Sequence, residues 1–171
     1  MTESRSLTSI FLALHEGDKS AFTELYRELK TPVYTIILRM VQSRPLAEDI
    51  MQDVFVKLYQ TPPPDSVQNH RAWVFQMAHN QAIDGLRKNR TEPLPDDLTD
   101  DRPSLEETIS HRMDVEEAIK CLAPEDRAII TLRFNAGLTF REIGEMLGRP
   151  LGTVLWRYQK CIGLLQRYLN A

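Results

Sequence analysis

The residues with the most definite chemical character lie in GLTFREIGEMLGRPLGTVLWRYQKC, residues 137–161. Thr139 and Glu142 form T-x-x-E, a capping box whose reciprocal hydrogen bonds fix a helix start. Gly148 is a natural stop for that helix. A longer helix with no acidic residue then begins near residue 151. Two helices joined by a tight turn are a helix-turn-helix candidate, the arrangement that seats a helix in the major groove of DNA. Gly144 is small enough to let the two helices cross closely. A groove-reading helix should turn polar and basic side chains outward, yet this one carries Leu155 and Trp156 near its start. Nothing points to bond-making chemistry. The chain has no nucleophile–base arrangement, no metal-ligand cluster and no glycine-rich phosphate loop, so it is not read as an enzyme and no cofactor is implied. His15, His70, His79 and His111 are scattered without metal-ligand spacing. Cys121 and Cys161 both sit in helical patterns and read as reduced, buried structural thiols.

The elements that must position these residues come from 171 residues, enough for one ordinary domain or two small ones. With 42% hydrophobic and 26% charged residues the composition is that of a soluble globular protein. No apolar run approaches the ~18–20 residues needed to span a bilayer, so membrane insertion is not expected. The start, MTESRSLTSIF, lacks the pattern of a secretory signal, and a cytoplasmic location is expected. The net charge of −3 is segregated: residues 91–107 hold seven acids and one base, leaving +3 on the rest. A basic surface interrupted by an acidic strap describes the chain better than its average.

Residues 91–107 also contain Pro93, Pro95 and Pro103, which block helix, and like charges repel, so an extended flexible linker is expected. It divides the chain into parts 1–90 and 108–171, and both read as all-α. In the first, a helix starts near Ser6 and ends at Gly17. A second, capped by Asp18 or Ser20, runs to about Ser43, with Pro32 bending or breaking it. A third starts at Pro45, with Glu48 and Asp49 in its first turn, where the helix dipole favours acids. Leu46, Ile50, Val54 and Leu58 give it one apolar face, and Glu48, Asp49, Gln52, Asp53 and Lys57 lie opposite. After a proline-rich loop, 61–69, a fourth helix over 70–90 buries Phe75, Ala78, Ala82 and Leu86. In the second part, VEEAIKCLA precedes a helix opened by Pro124 and two acids. The capped helix follows, then LGTVLWRYQKCIGLLQRYL with Val154, Tyr158, Cys161 and Leu165 on its buried face.

Taken together, AEDIMQDVFVKLYQ, then RAWVFQMAHNQAIDGLRKNR, then an acidic linker, then LAPEDRAIITLRFNAGLTFREIGEMLGRPLGTV resemble the extracytoplasmic-function sigma factors of bacterial RNA polymerase, of the sigma-70 family. The resemblance runs in order over about residues 18–158. It implies two small helical domains, 1–90 as sigma region 2 and 108–171 as region 4, joined by the linker 91–107 threading the polymerase cleft. It further implies that Glu48, Asp49, Gln52 and Asp53 face the β′ clamp helices of core RNA polymerase, which is also met through its β subunit. Helix 70–90 is then the part that opens DNA at the −10 element. Asn80 stands at the family's base-reading asparagine, and an amide offers the donor and acceptor that a base edge requires. His79 replaces the usual arginine beside it. Trp73 lines the strand's path or packs, and Arg71, Arg87, Lys88 and Arg90 are phosphate candidates. An anti-sigma factor is a further expected partner, beside promoter DNA and the polymerase.

The chain departs from the family pattern in the helix expected to read the −35 element. Relatives usually show a basic residue and a serine after GTV, then a basic cluster. Here the candidates are Thr153, Leu155, Trp156, Arg157, Gln159 and Lys160. Leu155 can touch a thymine methyl and Gln159 can bond adenine, whereas Trp156 suits a sugar or a protein interface. The expected function is promoter recognition by −35 duplex binding and −10 strand opening. One alternative is a sigma-like regulator that binds polymerase or an anti-sigma factor but reads −35 DNA weakly. A plain helix-turn-helix repressor would leave the acidic linker and the polymerase-docking helix unexplained.

Overall fold

The computed structural model describes residues 5–91 and 115–170, without the side chains of 90 and 91. The acidic linker, apart from its first residue, and the start of the second part at 108 lie outside the described residues. Within them every regular element is a helix. The first part holds α1 (Leu7–His15), α2 (Ser20–Val41), α3 (Arg44–Gln60) and α4 (His70–Thr91). The second holds α5 (Val115–Lys120), α6 (Pro124–Phe134), α7 (Phe140–Leu147) and α8 (Leu151–Asn170).

Local chemistry sets most helix ends. The Ser6 hydroxyl accepts from Ser9 N–H at the start of α1, and the Ser43 hydroxyl accepts from Leu46 N–H at the start of α3. Asp18 holds the start of α2 by accepting from both the backbone N–H and the hydroxyl of Ser20, at 3.0 and 2.6 Å. Asn69 does the same for α4, accepting from Ala72 N–H at 2.9 Å. Two expectations are corrected here. Pro32 does not break α2, which runs through it. An interior proline costs a helix about 3 kcal/mol, but Leu25, Leu29, Val33, Ile36 and Ile37 on either side are all buried. Each contributes about 1.5–3 kcal/mol by leaving water, so packing decides. The first turn of α3 carries no acid. That helix starts at Arg44, which puts Glu48 and Asp49 in its second turn, beyond the reach of the dipole.

The two parts are not separate bodies. One continuous core takes in Phe11, Leu29, Ile37, Val54 and Phe75 from α1–α4. It runs on through Ile129 and Leu132 of α6, Ala136 and Leu138 of the following turn, Ile143 of α7 and Val154 of α8. A smaller core joins Ala118, Ile119, Leu122, Ile130, Cys161 and Leu165. Helix α2 is the hub, packing on α1, α3, α4 and α6. The seam between the parts is closed by two arginines. Arg127, buried at the start of α6, donates to the carbonyls of Arg39 (2.9 Å), Lys120 (3.1 Å) and Leu122 (2.9 Å). It thereby satisfies orphan carbonyls at the ends of α2 and α5 together. Arg39 reaches back across to the Asn135 side chain at 2.7 Å and to Glu116 at 2.5 Å.

A buried guanidinium bonded to three carbonyls cannot be removed without leaving those groups dry and unpaired. Arg127→Met should therefore lower the unfolding free energy by about 2–4 kcal/mol in urea denaturation. Glu116→Ala, at the solvent-facing end of the seam, should change it by less than about 1 kcal/mol.

Candidate nucleic-acid interface

Helix α4 buries Val74, Phe75, Ala78 and Ala82 on one stripe and turns Asn80 outward. The close approach of α3 is made possible by Gly85, where a Cβ would fall 2.6 Å from Ile50 Cδ1. Between the outer faces of α3 and α4 lies an open cleft of about 440 Å³, lined by Lys57, Trp73, Gln76, Met77, Asn80 and Gln81. Three amides, an indole, a thioether and an ammonium are together suited to stacking an unpaired base, bonding its edge and holding the adjoining phosphate. Trp73 packs on the core with one side and lines the cleft with the other. The residues 73, 76–77 and 80–81 recur at helical spacing opposite the buried stripe. Gln76, Met77 and Gln81 were legible by that spacing but carry no motif.

The remaining candidates on and near α4 fall into different places. His79 is a correction: it is buried, its Nδ1 has no hydrogen-bond partner, and it presents no surface to a strand. It lies beside the stripe of Phe75, Ala78 and Ala82, and burial holds its pKa below the ordinary imidazole value. Arg71 is tied to the second part of the chain, donating to the Ala136 carbonyl, with its guanidinium carbon 5.3 Å from the Phe75 ring centre. Asn69 likewise donates to Glu142. Arg87 is exposed, 3.9 Å from Asp84. Lys88 is also exposed, and the Arg90 side chain lies outside the described residues. Glu48, Asp49, Gln52 and Asp53 share the exposed side of α3.

The helix-turn-helix is built as its sequence indicates. Thr139 and Glu142 make both bonds of the capping box, and Gly148 ends α7 in the left-handed region at φ 63°. Gly144 serves the turn as well as the helix approach: a Cβ there would lie 2.7 Å from the Arg149 carbonyl oxygen and 3.6 Å from Val154 Cγ2 of α8. The turn is clamped to α6 by carboxylates. Glu125 accepts from Arg149 at 2.6 Å and pairs with Arg157 at 3.2 Å, while the buried Asp126 accepts from Arg157 at 2.7 Å. Arg157 is therefore withdrawn from the outward set: its guanidinium is spoken for within the fold. Inward, Val154, Cys161 and Leu165 are buried, and Tyr158 meets Phe140 edge-on at 4.8 Å. Burial pushes the Cys161 thiol up to about 11, which keeps it protonated and inert. Cys121, read as buried, is exposed just past the end of α5. Outward stand Leu155, Trp156, Gln159 and Lys160, with Thr153 half-buried. Trp156 is 59% exposed and carries the Lys160 ammonium 5.3 Å from its ring centre.

A four-helix part with a polar cleft, packed on a helix-turn-helix part, defines the class. Residues 25–92 match Sigma-70 region 2 and residues 118–166 match Sigma-70, region 4. The chain is 30% identical over 164 residues to the ECF RNA polymerase sigma factor RpoE of Cereibacter sphaeroides, covering 90% of this chain and 88% of that protein. It is 33% identical over 181 residues to the ECF RNA polymerase sigma factor SigE of Mycolicibacterium smegmatis, covering 95% of this chain and 67% of that one. Two solved structures share the fold. CnrH in complex with the cytosolic domain of CnrY has a TM-score of 0.67 at 19% identity, over 95% of this chain and 96% of that one. The sigma factor RpoE of Bartonella quintana with the anti-sigma factor NepR has a TM-score of 0.63 at 20% identity, over 86% and 98%. The chain belongs to the ECF RNA polymerase sigma factors. It is a transcription-initiation protein with the DNA-binding regions 2 and 4 of that family, whose members are not enzymes in the catalytic sense. No described helix is long and apolar enough to cross a membrane.

Two outcomes follow. Arg157→Ala should lower the midpoint of thermal unfolding yet leave the salt slope of DNA binding unchanged, because the lost contacts are internal carboxylates rather than phosphates. Burial disfavours the protonated form of His79 in the fold, so the unfolded chain binds its proton first. Stability is then complete above the unfolded pKa of about 6.5 and declines as pH falls from there toward the depressed folded value. Urea midpoints at pH 7.5 and 5 should differ less in His79→Phe than in the parent.

Proposed function

We propose that the first part, through residue 90, docks core RNA polymerase and captures the −10 strand, while the second, from 108, reads the −35 duplex. The observation that carries the −10 assignment is the cleft in which Asn80 stands among Trp73, Gln76 and Lys57. A base can enter such a cleft only after leaving its stack, so occupancy of the cleft favours the opened strand. Arg87 and Lys88 lie further along the same helix and meet the backbone, as would Arg71 once released from Ala136. Helix α3 presents Glu48, Asp49, Gln52 and Asp53 to the basic clamp surface of the β′ subunit, and the β subunit meets the second part. The polymerase supplies all bond-making, and the site of action is the cytoplasm. Of the solved structures similar to this chain, one is a complex with the anti-sigma factor NepR and one with the cytosolic domain of CnrY, so an anti-sigma factor is a fitting further partner.

Run-off transcription with core polymerase and a promoter library tests the division of labour. The chain should yield specific transcripts. Asn80→Ala should reduce permanganate-detected strand opening by about tenfold or more while −35 duplex binding persists. Reversing charge in Asp49→Lys with Asp53→Lys should weaken polymerase binding without altering the fold. Stable polymerase binding with no transcript from any selected promoter would sink the proposal and favour a regulator that reads DNA poorly.

A further inference from the structure

We propose that α8 reads its −35 duplex chiefly through thymine methyls and adenine edges, with Leu155 and Gln159 as the specificity-determining residues. The inference rests on the reading above that α8 is the groove helix, and it concerns the chemistry of what that helix recognises. Arginine is the usual reader of guanine, through paired bonds to O6 and N7. The two arginines nearest the turn are committed elsewhere: Arg149 to Glu125, Arg157 to Glu125 and Asp126. What remains outward at the start of α8 is Leu151, Leu155, Trp156, Gln159 and Lys160.

These side chains form two lines. Leu151, Leu155 and Gln159 follow one another at intervals of four residues, about 6 Å along the axis and close to two base-pair steps. Trp156 and Lys160 form a parallel line about 100° further round. In the major groove the one apolar feature is the C5 methyl of thymine. Leu155, 37% exposed, gains by covering that methyl. Set against a guanine or cytosine edge, it would strip water from polar atoms and return no bond. Gln159, one turn further, is the partner for adenine N6 and N7. Trp156 stands at the groove edge with the Lys160 ammonium over its face, which holds that charge ready for a phosphate. No acid occurs anywhere in 151–171 to repel the backbone.

The experiment uses the full chain with core polymerase, selecting from promoters randomised at both elements. Selected −35 sequences should be dominated by A·T pairs. Replacing thymine by uracil at the Leu155 contact removes only the methyl and should weaken binding about fourfold. Leu155→Ala should bind the thymine and uracil duplexes equally, and Gln159→Ala should lose about tenfold of its adenine preference. Trp156→Ser should weaken all sequences alike. Because Leu155 and Trp156 are exposed, these variants should keep the parent circular dichroism spectrum.

A −35 element dominated by G·C, with −10 enrichment and transcription intact, would overturn this inference and leave the sigma-factor reading standing. So would a thymine/uracil ratio unchanged in Leu155→Ala. If both Leu155→Ala and Trp156→Ser leave promoter binding untouched, the surface belongs to a protein contact and the proposal is wrong. Failure to enrich either element would remove the division of labour itself, and this inference with it.

Discussion

The Arg127 guanidinium holds the molecule in its closed form. It sits at the start of α6 and donates to carbonyls at the ends of α2 and α5, so one side chain completes helix ends in both parts of the chain. A buried cation is tolerable only where its donors are matched, and carbonyls at helix C-termini, carrying the negative end of the dipole, match it well. The larger hydrophobic core then spans both parts, from α1–α4 to α6, α7 and α8. The α2 terminus adds a cost of its own, since Gln42 adopts the left-handed region at φ 55°, which a side chain other than glycine or asparagine disfavours. That conformation lets α2 stop where Arg127 meets its last turn.

The same logic of inward-facing arginines shapes the DNA-facing helix. Glu125 and Asp126 are helix-start acids by sequence, and the dipole of α6 accounts for them. In the fold they have a second role, gripping Arg149 in the turn and Arg157 on α8. Pairs at partly buried sites gain from the lower dielectric, and Asp126 is buried deeply enough for that gain to matter. The clamp orients α8 by using the arginines that would otherwise face a groove. On the proposed reading, a firmly held recognition helix and an apolar reading surface are two consequences of one arrangement.

Much of this was legible beforehand. Helix number and order, the capping box, the Gly148 stop and the buried face of α8 follow from periodicity and local hydrogen bonding, which the chain writes in short stretches. Errors arose where a distant segment decides. Pro32 was read by its local cost, but its helix is held by core contacts from four other elements. His79 sits one residue from an exposed asparagine, and only the placement of α4 on the core shows that its ring points inward. Arg157 reads as a −35 DNA contact until α6 brings Asp126 to 2.7 Å. The cleft itself was half visible: Asn80 and Trp73 carried a motif, while Lys57 joins them from another helix.

The closed form also constrains how a promoter can be read. Centres of −10 and −35 elements lie about 25 base pairs apart, about 85 Å along a duplex. A compact chain of this length is only about 40 Å across. On the proposed reading, the two parts cannot contact both elements while they share a core, so α6 must leave α2. The contacts that then break include Arg71 to Ala136 and Asn69 to Glu142, both at the start of α4. On the proposed reading, parting the two halves acts on the same helix that captures the strand. A single helix, α4, feels both, because its first turn is held by the second part while its middle carries Asn80.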